Sequence, residues 1–132
     1  MTDQTSATAT DPLIREEDIR RLVHRFYGKV RANPDLAPIF ATKIDDADWP
    51  EHLETMCDFW SSLMLATGRF KGRPMPKHRA IADIARPEHF EIWLGLFREA
   101  ATETQRPDIA AAFVDRAVRI AVTLQAGMYR AA

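Results

Sequence analysis

An amphipathic helix keeps polar and ionisable side chains off its buried stripe, so residues that break this rule call for a chemical explanation. Tyr27 lies on the apolar stripe of the first helical pattern, one residue from Phe26 and four from Val23, which carries a phenol hydroxyl inward. His52 stands with Trp49, Met56 and Phe59 at spacings of three, four and seven, so its imidazole faces inward among aromatics. A core tyrosine bonded to a nearby carbonyl and a satisfied core histidine fit the same spacings. An imidazole left unsatisfied in a core costs about 1–3 kcal/mol, so something must receive the His52 ring. His78, from a stretch rich in glycine and proline, supplies a second imidazole. Neutral imidazole is the commonest metal ligand and suits iron, zinc and copper.

Other chemistries find less support. No Cys-x-x-Cys or His-x-x-x-His spacing occurs, and Cys57, five residues from His52, is turned about 140° away around the helix, so a bare zinc site lacks ligands. Residues 68–72 read Gly-Arg-Phe-Lys-Gly but lack the flanking strand and the Lys-Ser/Thr ending of a phosphate-cradling loop. There is no Gly-x-Ser-x-Gly elbow, and Cys57 falls in mid-helix with no adjacent base to activate it. The acidic residues fall mainly on solvent faces and offer no carboxylate pair. His24 lies off the first stripe and His89 near a polar helix start, where both read as solvated.

The elements that must position these residues are all helical. A first helix covers residues 16–31 with Ile19, Leu22, Val23, Phe26, Tyr27 and Val30 on one face, and Asn33-Pro34 stops it. Leu36, Ile39 and Phe40 form one short apolar turn, and residues 43–48 link it onward with Asp46 or Asp48 placed to cap the next helix. That helix carries Trp49, Leu53, Met56, Phe59 or Trp60, and Leu63 on its apolar face, with Cys57 to one side. It ends at Thr67-Gly68, where glycine takes the left-handed conformation. Residues 68–76 are irregular, with one or two turns expected over 77–82. Pro87 suits the first position of a third long helix with Phe90, Trp93, Leu94, Phe97 and Ala101 on its face, and Pro107 opens a fourth over about residues 108–130.

At 132 residues the chain reads as one domain, and 46% apolar with 28% charged residues excludes fibre and disorder for its bulk. Residues 1–12 read as a disordered tail, leaving 13–132 as the domain. Eighteen basic against nineteen acidic residues, a net charge of −1, supply no basic field for nucleic acid or an anionic membrane. No apolar run approaches the roughly 20 residues of a membrane span. A single cysteine and no apolar leader point to a cytoplasmic, reducing setting.

Several separated motifs occur in a specific order: Phe-Tyr-Gly-Lys-Val-Arg at 26–31, Pro-Ile-Phe at 38–40, Trp-Pro-Glu-His at 49–52, and Phe-Trp-Ser-Ser at 59–62. Gly-Arg-Phe-Lys-Gly-Arg-Pro-Met-Pro-Lys-His at 68–78 and His-Phe-Glu-Ile-Trp-Leu-Gly-Leu-Phe at 89–97 follow. In these the chain resembles the third group of truncated haemoglobins from about Ile14 to Met128. The glycine-pair signatures of the other two groups are absent. The resemblance implies an all-α, two-over-two helical sandwich around haem b, iron protoporphyrin IX. It implies that His78 is the proximal iron ligand, and that Tyr27, His52 and Trp93 lie on the distal side. Phe40 then packs on the haem plane and Met56 lines the distal wall.

The function implied is binding of O2 and related diatomic gases such as NO and CO. Redox chemistry on NO or peroxide, as an NO dioxygenase or peroxidase, would draw on an electron-donor reductase. A haem-free helical module that holds a partner helix in its aromatic grooves is the competing reading. It leaves Tyr27, His52 and His78 unexplained.

Overall fold

The computed structural model describes residues 14–73 and 84–129, and every regular element among them is helical. Helix α1 spans Glu16–Ala32, α2 Ala37–Ala41, α3 Trp49–Leu65, α4 Pro87–Thr104 and α5 Pro107–Met128, with a 3-10 turn at Asp46–Asp48 before α3. The tail expected over residues 1–12, the turns expected over 77–82, and His78 lie outside the described residues.

The start of α1 is set by its own first turn. The Arg15 backbone N–H donates to Asp18 Oδ2 at 3.0 Å, and Glu16, Glu17 and Asp18 place negative charge at the positive end of the helix dipole. The face expected from spacing is the one buried: Ile19, Leu22, Val23, Phe26, Tyr27 and Val30. Asn33 ends the helix in extended backbone, and its Oδ1 accepts from the N–H groups of Asp35 (2.9 Å) and Leu36 (3.0 Å), turning the chain into α2.

The aspartates before α3 do not cap it with their side chains. A 3-10 turn does this work through backbone, with Asp48 N–H donating to Asp45 O at 2.9 Å, and Pro50 suits the first turn because its missing N–H leaves no orphan donor there. At its far end α3 stops at Leu65, earlier than the expected Thr67-Gly68. Ala66 takes the left-handed conformation (φ 58°), and Gly68 takes it again two residues later (φ 73°).

The segment after α3 is latched back onto the helices. Arg69 donates to both carboxylate oxygens of Glu16 at 2.9 and 2.8 Å and through Nε to Asp58 at 3.1 Å. The Phe70 N–H donates to Ser62 Oγ at 2.8 Å while its ring packs edge to face on Phe59. Gly72 permits this fold, since a Cβ there would meet the Phe70 ring at 2.6 Å.

Helix α1 packs against α3 on one side and α4 on the other, and α4 packs against α5. The core is aromatic at its centre: Phe26, Phe97, Trp60 and Phe113 touch in sequence, with Phe97 stacked on Trp60 at 5.1 Å and on Trp93 at 5.8 Å. Each fully buried phenylalanine contributes about 1.5–3 kcal/mol from the hydrophobic effect alone. A second, smaller cluster of Ile39, Ala85, Leu124 and Met128 lies at the end of α5, where the Tyr129 hydroxyl donates to the Ala85 carbonyl.

Candidate functional site

Two faces of α3 divide the labour. Trp49, Cys57, Trp60 and Ser61 are its buried residues, while His52, Met56, Phe59 and Leu63 are half-buried. At 100° per residue these sets are centred about 100° apart, so one face joins the core and the other borders a separate region. Cys57 therefore belongs to the core and not to one side of it, at 4% exposure, and burial pushes its thiol pKa up. A single stripe places Cys57 to one side, whereas α3 carries two apolar faces and Cys57 lies on the buried one.

Helix α4 shows the same division along its length. Phe97 and Ala101 are buried, but Phe90, Trp93 and Leu94, on the same stripe nearer the N-terminus, are only half-buried. His89, expected to be solvated, is half-buried, and its Nδ1 accepts the Arg86 N–H at 2.8 Å, which closes the start of α4. His24 is exposed as expected.

Tyr27 and His52 come together. Their rings lie 5.4 Å apart at 86°, edge to face. Trp49 stands against both, 5.2 Å from His52 and 5.7 Å from Tyr27, and Phe40 packs on Tyr27 (6.1 Å) and stacks on Trp49 (6.2 Å). Trp93 joins this group through Phe26, whose ring is 4.8 Å from Tyr27 and 5.4 Å from Trp93. Met56 lies one helical turn beyond His52 on the same half-buried face. Of the residues expected at the site, these five share one region, and His78 falls outside the described residues.

Tyr27 is 5% exposed and belongs to the main core cluster. Burial alone raises its pKa well above the ordinary phenol range, so it stays protonated and able to donate. The site thus offers a neutral O–H from Tyr27, with the half-buried Trp93 ring reached through Phe26. Around them stand an imidazole and half-buried apolar walls. That donor set suits a flat, apolar group with a small polar ligand on its face, and so fits the haem implied by the resemblance. Among the described residues no group of three or more His, Cys, Asp or Glu could hold a metal ion by itself.

Trp49, in the Trp-Pro-Glu-His motif, breaks no apolar pattern, and in the sequence only its i, i+3 spacing to His52 signals its place between Tyr27, Phe40 and His52. At 4% exposure it forms one wall of the site.

Comparison with known proteins adds a separate line of observation. The family described as Bacterial-like globin matches residues 10–125. The chain is 35% identical over 119 residues to a group 3 truncated hemoglobin from Campylobacter jejuni, covering 89% of this chain and 93% of that protein. A crystal structure of a group III truncated hemoglobin from Campylobacter jejuni superposes with a TM-score of 0.81 at 35% identity, over 89% of this chain and 94% of that one.

Proposed function

The chain belongs to the bacterial-like globin family, among the group III truncated hemoglobins, and from that premise we propose that it binds O2, NO and CO on haem b with His78 as the proximal ligand. Bound haem supplies an iron centre that takes a diatomic gas; the protein supplies everything that makes the gas stay or leave. The observation that carries this reading is the buried, protonated Tyr27 set edge to face against His52.

With haem bound, Tyr27 would donate its O–H to the gas, and Trp93 would add an indole N–H. Each such bond contributes about 1–3 kcal/mol, or roughly five- to a hundredfold in retention. His52, on the first turns of α3, either donates a further N–H or turns to open the way in. Phe40 would pack against the haem, and Met56 would line the distal wall beyond His52 by van der Waals contact.

No helix among the described residues is long and apolar enough to cross a membrane, which is compatible with a cytoplasmic protein. Turnover of NO or peroxide at this site would need electrons from a reductase partner. The reading is tested by exposing the haem-loaded, reduced protein to O2 and CO in turn. Reversible, saturable shifts of its absorption bands are expected, and a spectrum indifferent to both gases would overturn it.

A further inference from the structure

Trp49 connects the candidate site to the surface. Its ring contacts Tyr27, Phe40 and His52. The Arg31 guanidinium carbon lies over the same ring, 4.7 Å from its centroid. Arg31 is exposed, stands in the last turn of α1 and pairs with Asp46 Oδ1 at 3.4 Å. A cation is thus held over the indole by a carboxylate from the 3-10 turn that leads into α3.

We propose that Trp49 is a positioning residue for His52, and that Arg31, stacked over the Trp49 ring, holds the tryptophan in the orientation that does so. The inference rests on the gas-binding reading for its consequence but on ring geometry for its substance. His52 meets Tyr27 at 86° and Trp49 at 88°, so two edge-to-face contacts bear on its plane. Tyr27 and Trp49 are buried in the same core, and of the two it is Trp49 whose ring an exposed charged side chain also covers. Trp49 opens α3, where no side chain caps the helix, and its ring is bounded by Tyr27, Phe40, His52 and the Arg31 guanidinium. An exposed cation–aromatic contact changes an equilibrium by about two- to fivefold. Arg31 can therefore bias the orientation of His52 by that factor without touching it.

The test uses the full chain and the variants Arg31→Ala, Trp49→Leu and Trp49→Phe. The His52 ring-proton NMR resonances are followed without haem, and the carbonyl stretching band and CO release rate with it. Ring currents from Trp49 act on His52 protons, so Trp49→Leu should move those resonances strongly. Arg31→Ala should move them in part, and Trp49→Phe, which keeps a flat ring, should restore most of the parental pattern. In the haem-loaded protein Arg31→Ala should shift the carbonyl band and change CO release about two- to fivefold. Parental His52 resonances and carbonyl band in a folded Arg31→Ala protein would overturn the proposal. If Trp49→Leu fails to fold, Arg31→Ala decides alone, because Arg31 is exposed. A parent that takes up no haem would overturn the gas-binding reading, while the haem-free His52 resonances would still decide the positioning role.

Discussion

Tyr27 from the middle of α1 and His52 from the first turns of α3 meet edge to face at 5.4 Å, and this pairing joins a protonated phenol to an imidazole in a region walled by aromatic rings. The relationship depends on the packing of α1 against α3, and neither helix could create it alone. It has a direct kinetic consequence. Tyr27→Phe keeps the ring and its packing but removes the O–H, so O2 release from the haem-loaded protein should accelerate by roughly five- to a hundredfold. Stopped-flow displacement of O2 by CO measures this, and an unchanged rate would remove Tyr27 from the mechanism.

The same burial makes a prediction at high pH. The phenol pKa of Tyr27 is raised in the folded state, so on alkalinisation the unfolded chain gives up this proton first. Its contribution to stability is fully present below the ordinary tyrosine value of about 10 and is lost as pH rises above it. Urea midpoints measured from neutral pH to above about pH 10 should therefore fall less steeply for Tyr27→Phe than for the parent. Equal slopes would contradict the assigned burial.

The helical composition and element boundaries were legible in the sequence because apolar periodicity and proline placement act locally. Pro87 and Pro107 open α4 and α5 as their positions predict, and the α1 stripe is buried residue for residue. What sequence could not supply was which of two apolar faces on α3 enters the core. Trp49, Met56, Cys57, Phe59 and Trp60 all lie on apolar positions of that helix, and only packing against the other helices, with Trp60 set on Phe97 of α4 and Phe113 of α5, selects Cys57 and Trp60 for the core. The site residues Tyr27 and His52 stood out as breaches of binary pattern. Trp49 did not, because an aromatic on an apolar stripe breaks no rule.

The end of α3 is a second place where local rules and structure part. Glycine was expected to terminate the helix, yet Ala66 takes the left-handed conformation before Gly68 is reached. An alanine there bears a strain of about 1–2 kcal/mol, partly offset on exchange by the greater unfolded-state freedom of glycine. Ala66→Gly should stabilise the protein by about 0.5–1 kcal/mol in denaturant unfolding. A destabilised variant would show that Ala66 is not left-handed.

Arg69 holds the following segment by gripping Glu16 and Asp58 together, and this pairing raises its own pKa while lowering that of Glu16. All three side chains are exposed enough for solvent to screen them, so Arg69→Ala should leave the melting temperature nearly unchanged. The effect should be local: faster hydrogen exchange at the Phe70 amide, which the latch keeps on Ser62 Oγ. A parental exchange rate at Phe70 would show that the latch does not hold the segment.

The gas-binding proposal requires that this chain hold haem through His78. The absorption spectrum of the purified full chain titrated with haem tests it most directly, read alongside His78→Ala. The account predicts a saturating Soret band at one haem per chain in the parent, with His78→Ala losing the spectrum of an imidazole-ligated iron and recovering it when free imidazole is added. No Soret band in the parent would contradict the account and favour a haem-free helical module, and parental ligation in His78→Ala would contradict the assignment of the proximal ligand.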